Sequence, residues 1–423
     1  MTVIGLDDTD SRERGMCTTY LATLVADAVE AAGSRVERRL LVRLNPAVEH
    51  KTRGNAALAL HVDADPETAM DLAVAELEPL AEVEDPRTSP GVVVAPGDPD
   101  DVPPDVAAFA RDAVRDFHSI EEAVDLCETH GYAHRGWQDG RGRIGSLAAV
   151  GAWAGLDEWT YERISSREFE RCGTPREVDE ESVFAAADAA YPDAWDTVDR
   201  GEGEAVCVPN APGPILHGIR GDDRAAVERA AAAIDSEPVE RAATFLTNQG
   251  TDAHLRAGSL GELDGGRAYR VDGVVADNPE TRTGGHVFVT LSDAAGECEL
   301  DCVAFEPTKR FRDRIRSLRP GDELTVCGEV AEGTLKLEKF AVRSLNRTAT
   351  RTPTCPDCGR TMKSAGRRQG YRCRDCRTTG ERERVEIERD LELGWYEVPP
   401  CARRHVAKPL VRGGFDAPTH PER

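Results

Sequence analysis

Thr2-Val3-Ile4-Gly5-Leu6-Asp7-Asp8-Thr9-Asp10-Ser11 opens the chain with an apolar run that gives out into three carboxylates. The run predicts a first β-strand, and the carboxylates fall at its carboxyl end, where an open α/β sheet places its ligands. Three acids within four residues repel one another, and a cation among them relieves that repulsion. Magnesium suits such a site, because it takes oxygen ligands and shares them with phosphates. Gly15-Met16-Cys17-Thr18-Thr19-Tyr20 follows and leads into apolar residues at helical spacing, Leu21, Leu24, Val25 and Ala28. An acidic turn followed by a helix cap would account for the same residues without any chemistry.

The 423 residues are enough for three or four domains. Lys and Arg number 53 against 77 Asp and Glu, a net charge of −24. Scarce Lys with abundant Arg, Asp, Glu and Ala suggests a salt-rich cytosol, where surface carboxylates hold water and ions. Such acidity does not exclude an RNA partner, since molar salt shortens electrostatics to about 3 Å and leaves binding to contact geometry and stacking. No stretch is long and apolar enough to span a bilayer, and no secretory leader opens the chain, so a cytoplasmic location is expected. Of twelve Cys, four are regularly spaced. The other eight are expected to be small buried apolar residues in a reducing compartment.

Working outward, Leu41–Leu44 and Ala56–Val62 read as two strands around Asn45-Pro46 and the basic loop His50-Lys51-Thr52-Arg53-Gly54-Asn55. Pro66–Ala81 reads as an amphipathic helix, Gly91–Ala95 as a strand and Val106–Gly131 as mostly helical. Gly136-Trp137-Gln138-Asp139-Gly140-Arg141-Gly142-Arg143-Ile144-Gly145-Ser146 reads as a Gly/Arg loop entering a helix at Leu147. Free N–H groups, a helix dipole and guanidinium groups would make that loop a phosphate site. It matches neither a Walker motif nor a dinucleotide fingerprint, and a flexible turn with solvated Arg residues would look the same. Pro214–Arg220, Asp222–Ile234 and Val239–Thr247 read strand, helix, strand, half of a ferredoxin-like fold. From about Gly258 five β-rich runs and a short helix at Glu306–Leu318 fit an OB-fold barrel.

Cys355-Pro356-Asp357-Cys358 and Cys373-Arg374-Asp375-Cys376 are two CxxC knuckles separated by fourteen residues. Four thiolates at this spacing predict a structural zinc ribbon, with every position on the metal filled by sulfur. Residues 351–423 carry 16 Lys and Arg against 11 Asp and Glu, a net of +5 in a chain of net −24. A basic module with Lys363, Arg367, Arg368, Arg372, Arg374 and Arg377 around Tyr371 reads as a nucleic-acid contact. A ribbon that only packs on its neighbours is the plainer alternative.

Taken together, these stretches resemble the archaeal tRNA-isoleucine 2-agmatinylcytidine synthetase family, TiaS, along nearly the whole chain. The resemblance rests on residues 5–11, Gly15–Tyr20, Arg43-Leu44-Asn45-Pro46, Lys51–Asn55, Gly140–Gly145, Thr247–Asp252 and the paired CxxC. It extends through Tyr396–Pro400, Ala402–His405 and Lys408–Leu410. It implies a multidomain α+β protein. A kinase-like ATP-binding domain over residues 1–200 would be interleaved with a ferredoxin-like domain whose remainder is 201–257. An OB-fold would span 258–349, and a zinc ribbon and tail 350–423. The implied reaction uses ATP to activate the C2 oxygen of the wobble cytidine in a CAU anticodon. Agmatine then displaces that oxygen, giving agmatidine for AUA decoding. The resemblance also implies phosphorylation of a threonine, here Thr18 or its neighbour Thr19.

Phosphoryl transfer needs positioning and charge neutralisation more than covalent chemistry. Asp7, Asp8 and Asp10 are therefore the expected magnesium and catalytic residues, with Thr18. Lys51, Arg53, Gly140, Arg141, Gly142 and Gly145 are expected at the ATP phosphates. Cys355, Cys358, Cys373 and Cys376 are expected on zinc, and Arg372, Arg403, Arg404 and Lys408 on RNA. The expected partners are ATP, agmatine and the CAU-anticodon isoleucine tRNA; neither a membrane nor a protein partner is implied. An agmatine pocket should offer a carboxylate and an apolar wall, but the sequence assigns it no residues. A non-catalytic single-strand binder built from an OB-fold and a zinc ribbon is the competing reading. It leaves the carboxylate cluster and the Gly/Arg loop without a role.

Overall fold

The structure, a computed structural model, describes residues 1–51, 54–367 and 369–423; the expected phosphate contact Arg53 and the ribbon's Arg368 lie outside them. In the first 250 residues the strands are β1 (Thr2–Asp7), β2 (Val36–Arg43), β3 (Ala56–Val62), β4 (Gly91–Pro96), β5 (Ala133–Gly136), β6 (Thr160–Arg167), β7 (Ala194–Trp195), β8 (Ile215–Gly221) and β9 (Val239–Thr247). They form one nine-stranded sheet in the order β5-β4-β1-β3-β2-β9-β6-β8-β7. The helices are α1 (Thr18–Ala31), α2 (Pro66–Leu77), α3 (Pro104–Ala113), α4 (Ile120–Thr129), α5 (Gly142–Gly155), α6 (Glu180–Ala190) and α7 (Arg224–Ala232).

The sheet is mixed: β1 runs antiparallel to both neighbours, β3 and β4, and within this sheet β2 and β9 pair in parallel. A strand buried on both faces reads as a continuous apolar run whichever way its neighbours point. Here Ile4 and Leu6 pack on α1 and α2, while Val3 faces the core beneath α3 and α5. Gly5 lets α5 approach, since a Cβ there would sit 2.1 Å from the Ser146 carbonyl oxygen. The carboxylates still leave the sheet at the carboxyl end of a central strand.

The stretch 106–131 is two helices rather than one. α4 starts anew with a capping box in which the Ser119 hydroxyl accepts from the Glu122 N–H and the Glu122 carboxylate accepts from the Ser119 N–H. Beyond residue 155 the chain runs β6-α6-β7-β8-α7-β9, with α6 and α7 packed on the sheet through Val183, Ile219 and Val227. No break in the sheet falls at residue 200, because β6 pairs with both β8 and β9.

The second half begins with β10 (Leu255–Ala257), β11 (Arg267–Val275), β12 (Glu280–Thr281), β13 (Val287–Ser292), β14 (Glu299–Ala304), β15 (Glu323–Ala331) and β16 (Thr334–Ser344), with α8 (Phe311–Arg316) after β14. The pairings β11·β13, β13·β14, β14·β16, β16·β15 and β15·β11 close a five-stranded barrel around Val271, Val289, Cys302, Val326 and Phe340. Then come β17 (Thr348–Arg351), β18 (Lys363–Ser364), β19 (Tyr371–Arg372), β20 (Thr379–Gly380) and β21 (Glu383–Glu386). β17 pairs with β21, so the cysteine module leaves and returns at one point. The tail returns to the barrel: β22 (Gly394–Glu397) pairs with β16, and β23 (Thr419–His420) pairs with β22. Of the eight scattered cysteines, Cys127, Cys207, Cys302 and Cys327 are buried as expected; Cys17, Cys172, Cys298 and Cys401 are only partly so.

Candidate functional site

At the end of β1 the chain turns with Asp8 at φ +58°, a conformation that Asp tolerates better than most residues. The turn aims Asp7, Asp8 and Asp10 into a cavity of about 460 Å³. The Asp8 carboxylate accepts a hydrogen bond from the Ser89 N–H at 2.9 Å, and the Arg141 guanidinium lies 4.0 Å away. Burial raises the Asp7 carboxyl well above the usual range, and its Asp8 neighbour adds to the effect. Burial pushes Asp8 up to about 6, against the Ser89 N–H and Arg141. Carboxylates this costly to ionise, with oxygens turned into one cavity, suit a hard divalent cation.

Arg141, an expected phosphate contact, faces this cavity beside Asp8, with a second partner in Asp139. The rest of the Gly/Arg stretch is corrected. α5 begins at Gly142, not Leu147, and the N–H groups of Gly140 and Gly142 donate to Trp137 and Ser89 carbonyls. Gly142 and Gly145 line the cavity by allowing close approach. A Cβ on Gly145 would sit 2.0 Å from an Asp7 carboxylate oxygen, and one on Gly142 would sit 2.4 Å from the Gly91 nitrogen. Lys51 lines the same cavity, its ammonium donating to the Pro46 carbonyl, and burial lowers its pKa.

Thr18 is the first residue of α1 and does not cap it; that position is Cys17, which makes no side-chain cap bond. The Thr18 hydroxyl accepts from the Thr9 hydroxyl at 3.0 Å and lines a second cavity of about 250 Å³. Asp10, Gly54 and Ala56 line both cavities and form the wall they share. The expected catalytic residues thus divide, with Asp7 and Asp8 on one side of the wall and Thr18 on the other.

Sequence reading missed the floor of the second cavity. Glu162 on β6, 4% exposed, is gripped by the Arg43 guanidinium at 3.0 Å and the Arg220 guanidinium at 3.2 Å. Burial alone would raise this carboxyl, but Arg220 and Arg43 outweigh it and hold the group below its ordinary range. Glu162 and Arg220 are register partners across β6 and β8, a relation invisible before the strands are paired. Asn248 was legible only as part of a shared stretch. Its side-chain amide accepts from the Arg43 N–H at 2.7 Å and donates to the Arg43 carbonyl at 3.0 Å, fixing the end of β2.

The four cysteines converge, their Sγ atoms all within 4.8 Å of one another, a spacing that fits tetrahedral thiolate ligation of zinc. Arg372 is exposed on β19, as are Lys363, Arg367, Arg374 and Arg377. Arg403 is corrected: its side chain is 5% exposed, paired with Asp196 and with Glu397 at 2.8 Å, so it ties the tail to the first half of the chain instead of meeting RNA. Arg404 is half-buried on Glu329 and Glu338, and Lys408 pairs with Glu158 at 3.4 Å.

Fold and site together define a multidomain α+β protein whose acidic cavity sits on a mixed sheet, followed by a barrel and a basic four-cysteine module. Family models match three parts of it: the TiaS TCKD domain over residues 3–67, the TiaS FLD domain over 140–254 and the TiaS C-terminal zinc ribbon domain over 352–391. The isoleucine-tRNA 2-agmatinylcytidine synthetase TiaS of Haloquadratum walsbyi is 60% identical, covering 100% of both chains, and that of Methanosarcina mazei is 47% identical over 97% of each. The chain belongs to the TiaS family. Among solved structures, a complex of TiaS with its isoleucine tRNA and ATP superposes with a TM-score of 0.90 at 40% identity, over 100% of this chain and 99% of that one. A complex of TiaS with the same tRNA, AMPCPP and agmatine gives 0.87 at 38% identity, with the same coverage.

Proposed function

We propose that this chain is an ATP-dependent ligase that conjugates agmatine to C2 of the wobble cytidine of the CAU-anticodon isoleucine tRNA. The observation that carries this reading is full-length similarity to synthetases of that name, combined with an acidic cavity at the place the sequence marks for metal–phosphate chemistry. A non-catalytic single-strand binder gives no reason for three carboxylates, an arginine and a lysine to share a cavity.

Asp7, Asp8 and Asp10 would hold magnesium, which supplies charge neutralisation on the triphosphate. Arg141 and Lys51 sit where they can meet phosphate oxygens, and Gly142 and Gly145 keep the wall thin enough for Asp7 to reach the cavity. Activation makes the cytidine C2 oxygen a phosphate ester and therefore a leaving group. Thr18, on the far side of the shared wall, is the proposed site of protein phosphorylation.

The domain reading follows the connectivity. The run β6-α6-β7-β8-α7-β9, in the order β9-β6-β8-β7, supports a ferredoxin-like unit, and the barrel's strand order supports an OB-fold. The sheet over β1–β5 with α1, α2 and α5 would be the kinase-like part. The exposed basic ribbon, held by zinc, would contact the tRNA. No helix among the described residues is long and apolar enough to cross a membrane, and a cytoplasmic location is proposed from the nature of the reaction. The test is incubation with ATP, agmatine and CAU-anticodon tRNA, followed by nucleoside mass analysis. A wobble cytidine of unchanged mass would reject the reading.

A further inference from the structure

The second cavity is lined by three guanidiniums, from Arg43, Arg176 and Arg220, and two carboxylates, from Asp10 and Glu162. Two guanidiniums, from Arg43 and Arg220, share one carboxylate, and both Glu162 oxygens are already engaged. The Arg43 Nε is buried and has no hydrogen-bond partner. Gly218, beside Glu162, carries no side chain that would fill the floor. Three cations against two anions leave an excess of positive charge around the cavity. A planar donor fork of this kind suits the oxygens of a phosphoryl group.

We propose that Arg43 and Arg220 form a phosphoryl-binding site that receives the phosphate leaving cytidine C2. This rests on the reading that the C2 oxygen is phosphorylated before agmatine attacks. In that step the agmatine amine forms a bond to C2, and the bond from C2 to the phosphoryl-bearing oxygen breaks. The electron pair of the breaking bond leaves with the oxygen as orthophosphate, and the amine gives up a proton to solvent. The guanidiniums neutralise the charge that grows on the departing phosphate, the contribution that fixed donors make to a transition state. Placement fits this role, since the cavity shares a wall with the one that would hold the nucleotide.

The test uses the full-length protein with magnesium and AMPCPP at saturation, so that the first cavity is filled, and titrates orthophosphate by calorimetry. One saturable site is expected. Arg220→Gln should weaken it at least about tenfold, while AMPCPP affinity stays within about twofold. Glu162→Gln, which removes the competing carboxylate, should tighten it; a merely structural ion pair would give no such gain. Arg220→Lys should recover part of the loss, guarding against a folding artefact. Absence of saturable binding, binding indifferent to Arg220→Gln, or preference for a phosphodiester dinucleotide over orthophosphate would overturn the assignment. Agmatidine formation by the unaltered chain is scored separately, so the ligase reading can stand while this site falls.

Discussion

Asp8 combines a left-handed backbone, a hydrogen bond from the Ser89 N–H and a carboxyl that burial pushes up to about 6. Asn keeps the backbone preference and an acceptor oxygen but cannot carry the charge that holds a cation. Asp8→Asn should therefore fold normally and lose nucleotide turnover by about two orders of magnitude or more. Turnover near that of the unaltered chain would remove Asp8 from the site. The pH dependence has a definite sign. The folded pKa lies above the unfolded 3.8, so the group contributes stability in acid that is lost as pH rises through about 6. Metal-free protein should melt lower above that pH, magnesium should restore it, and Asp8→Asn should flatten the trend. Thr18 makes a second prediction at this scale: γ-labelled ATP should label the protein at Thr18 or, failing that, Thr19. Label surviving replacement of both by Val would place phosphorylation elsewhere. The carboxylates were legible because they are adjacent in sequence. Glu162 with Arg43 and Arg220 was not, since three separate strands must pair before those residues meet.

α5 shows where propensity misleads. Gly140, Gly142 and Gly145 read as a loop because glycine is a poor helix former, by about 1 kcal/mol against alanine. The helix nevertheless starts at Gly142, because only residues without side chains fit against Gly91 and Asp7. Gly145→Ala would raise helix propensity yet drive a methyl group into the Asp7 carboxylate. Stability should fall by about 1–3 kcal/mol, the usual cost of overpacking, with loss of magnesium-dependent ATP binding. Unchanged ATP affinity would show that Asp7 can move without consequence. The ribbon is the opposite case, legible from spacing alone because zinc dictates the geometry. Among the described residues its buried apolar cluster is Cys355, Met362 and Cys373, with Tyr371 packed against it. Cys373→Ser or chelation should unfold it locally and weaken tRNA binding at least about tenfold, with ATP binding intact. Undiminished tRNA affinity would make the ribbon purely structural.

At the scale of the whole molecule, the tail fastens the two halves together, and composition gave no hint of it. β22 extends the barrel sheet, and Arg403 reaches from the tail to Asp196 in the first half. Asp252, on the loop after β9, accepts from Lys339 of the barrel and from the Lys408 backbone. An arginine in a basic-looking tail reads as an RNA contact because charge pattern cannot distinguish an exposed cation from one paired across an interface. A chain cut near Asn346 would thus lose a barrel strand and this fastening along with the ribbon, so it could not isolate the ribbon's contribution. The same interface should be sensitive to pH. Asp196 and Glu397 share the Arg403 guanidinium, and burial pushes Glu397 up to about 7 against Arg403. Its folded pKa lies above the unfolded 4.5, so its contribution is present in acid and lost as pH rises through about 7. Raising the pH from about 6 to about 8 should lower the melting temperature, and Glu397→Gln should remove most of that slope. Limited proteolysis between the halves should speed up over the same interval, since two carboxylates would then face one guanidinium out of water. A melting temperature that stays level across this interval, or falls equally in Glu397→Gln, would mean that another group sets the pH response and that the tail's hold on the first half does not depend on this carboxyl.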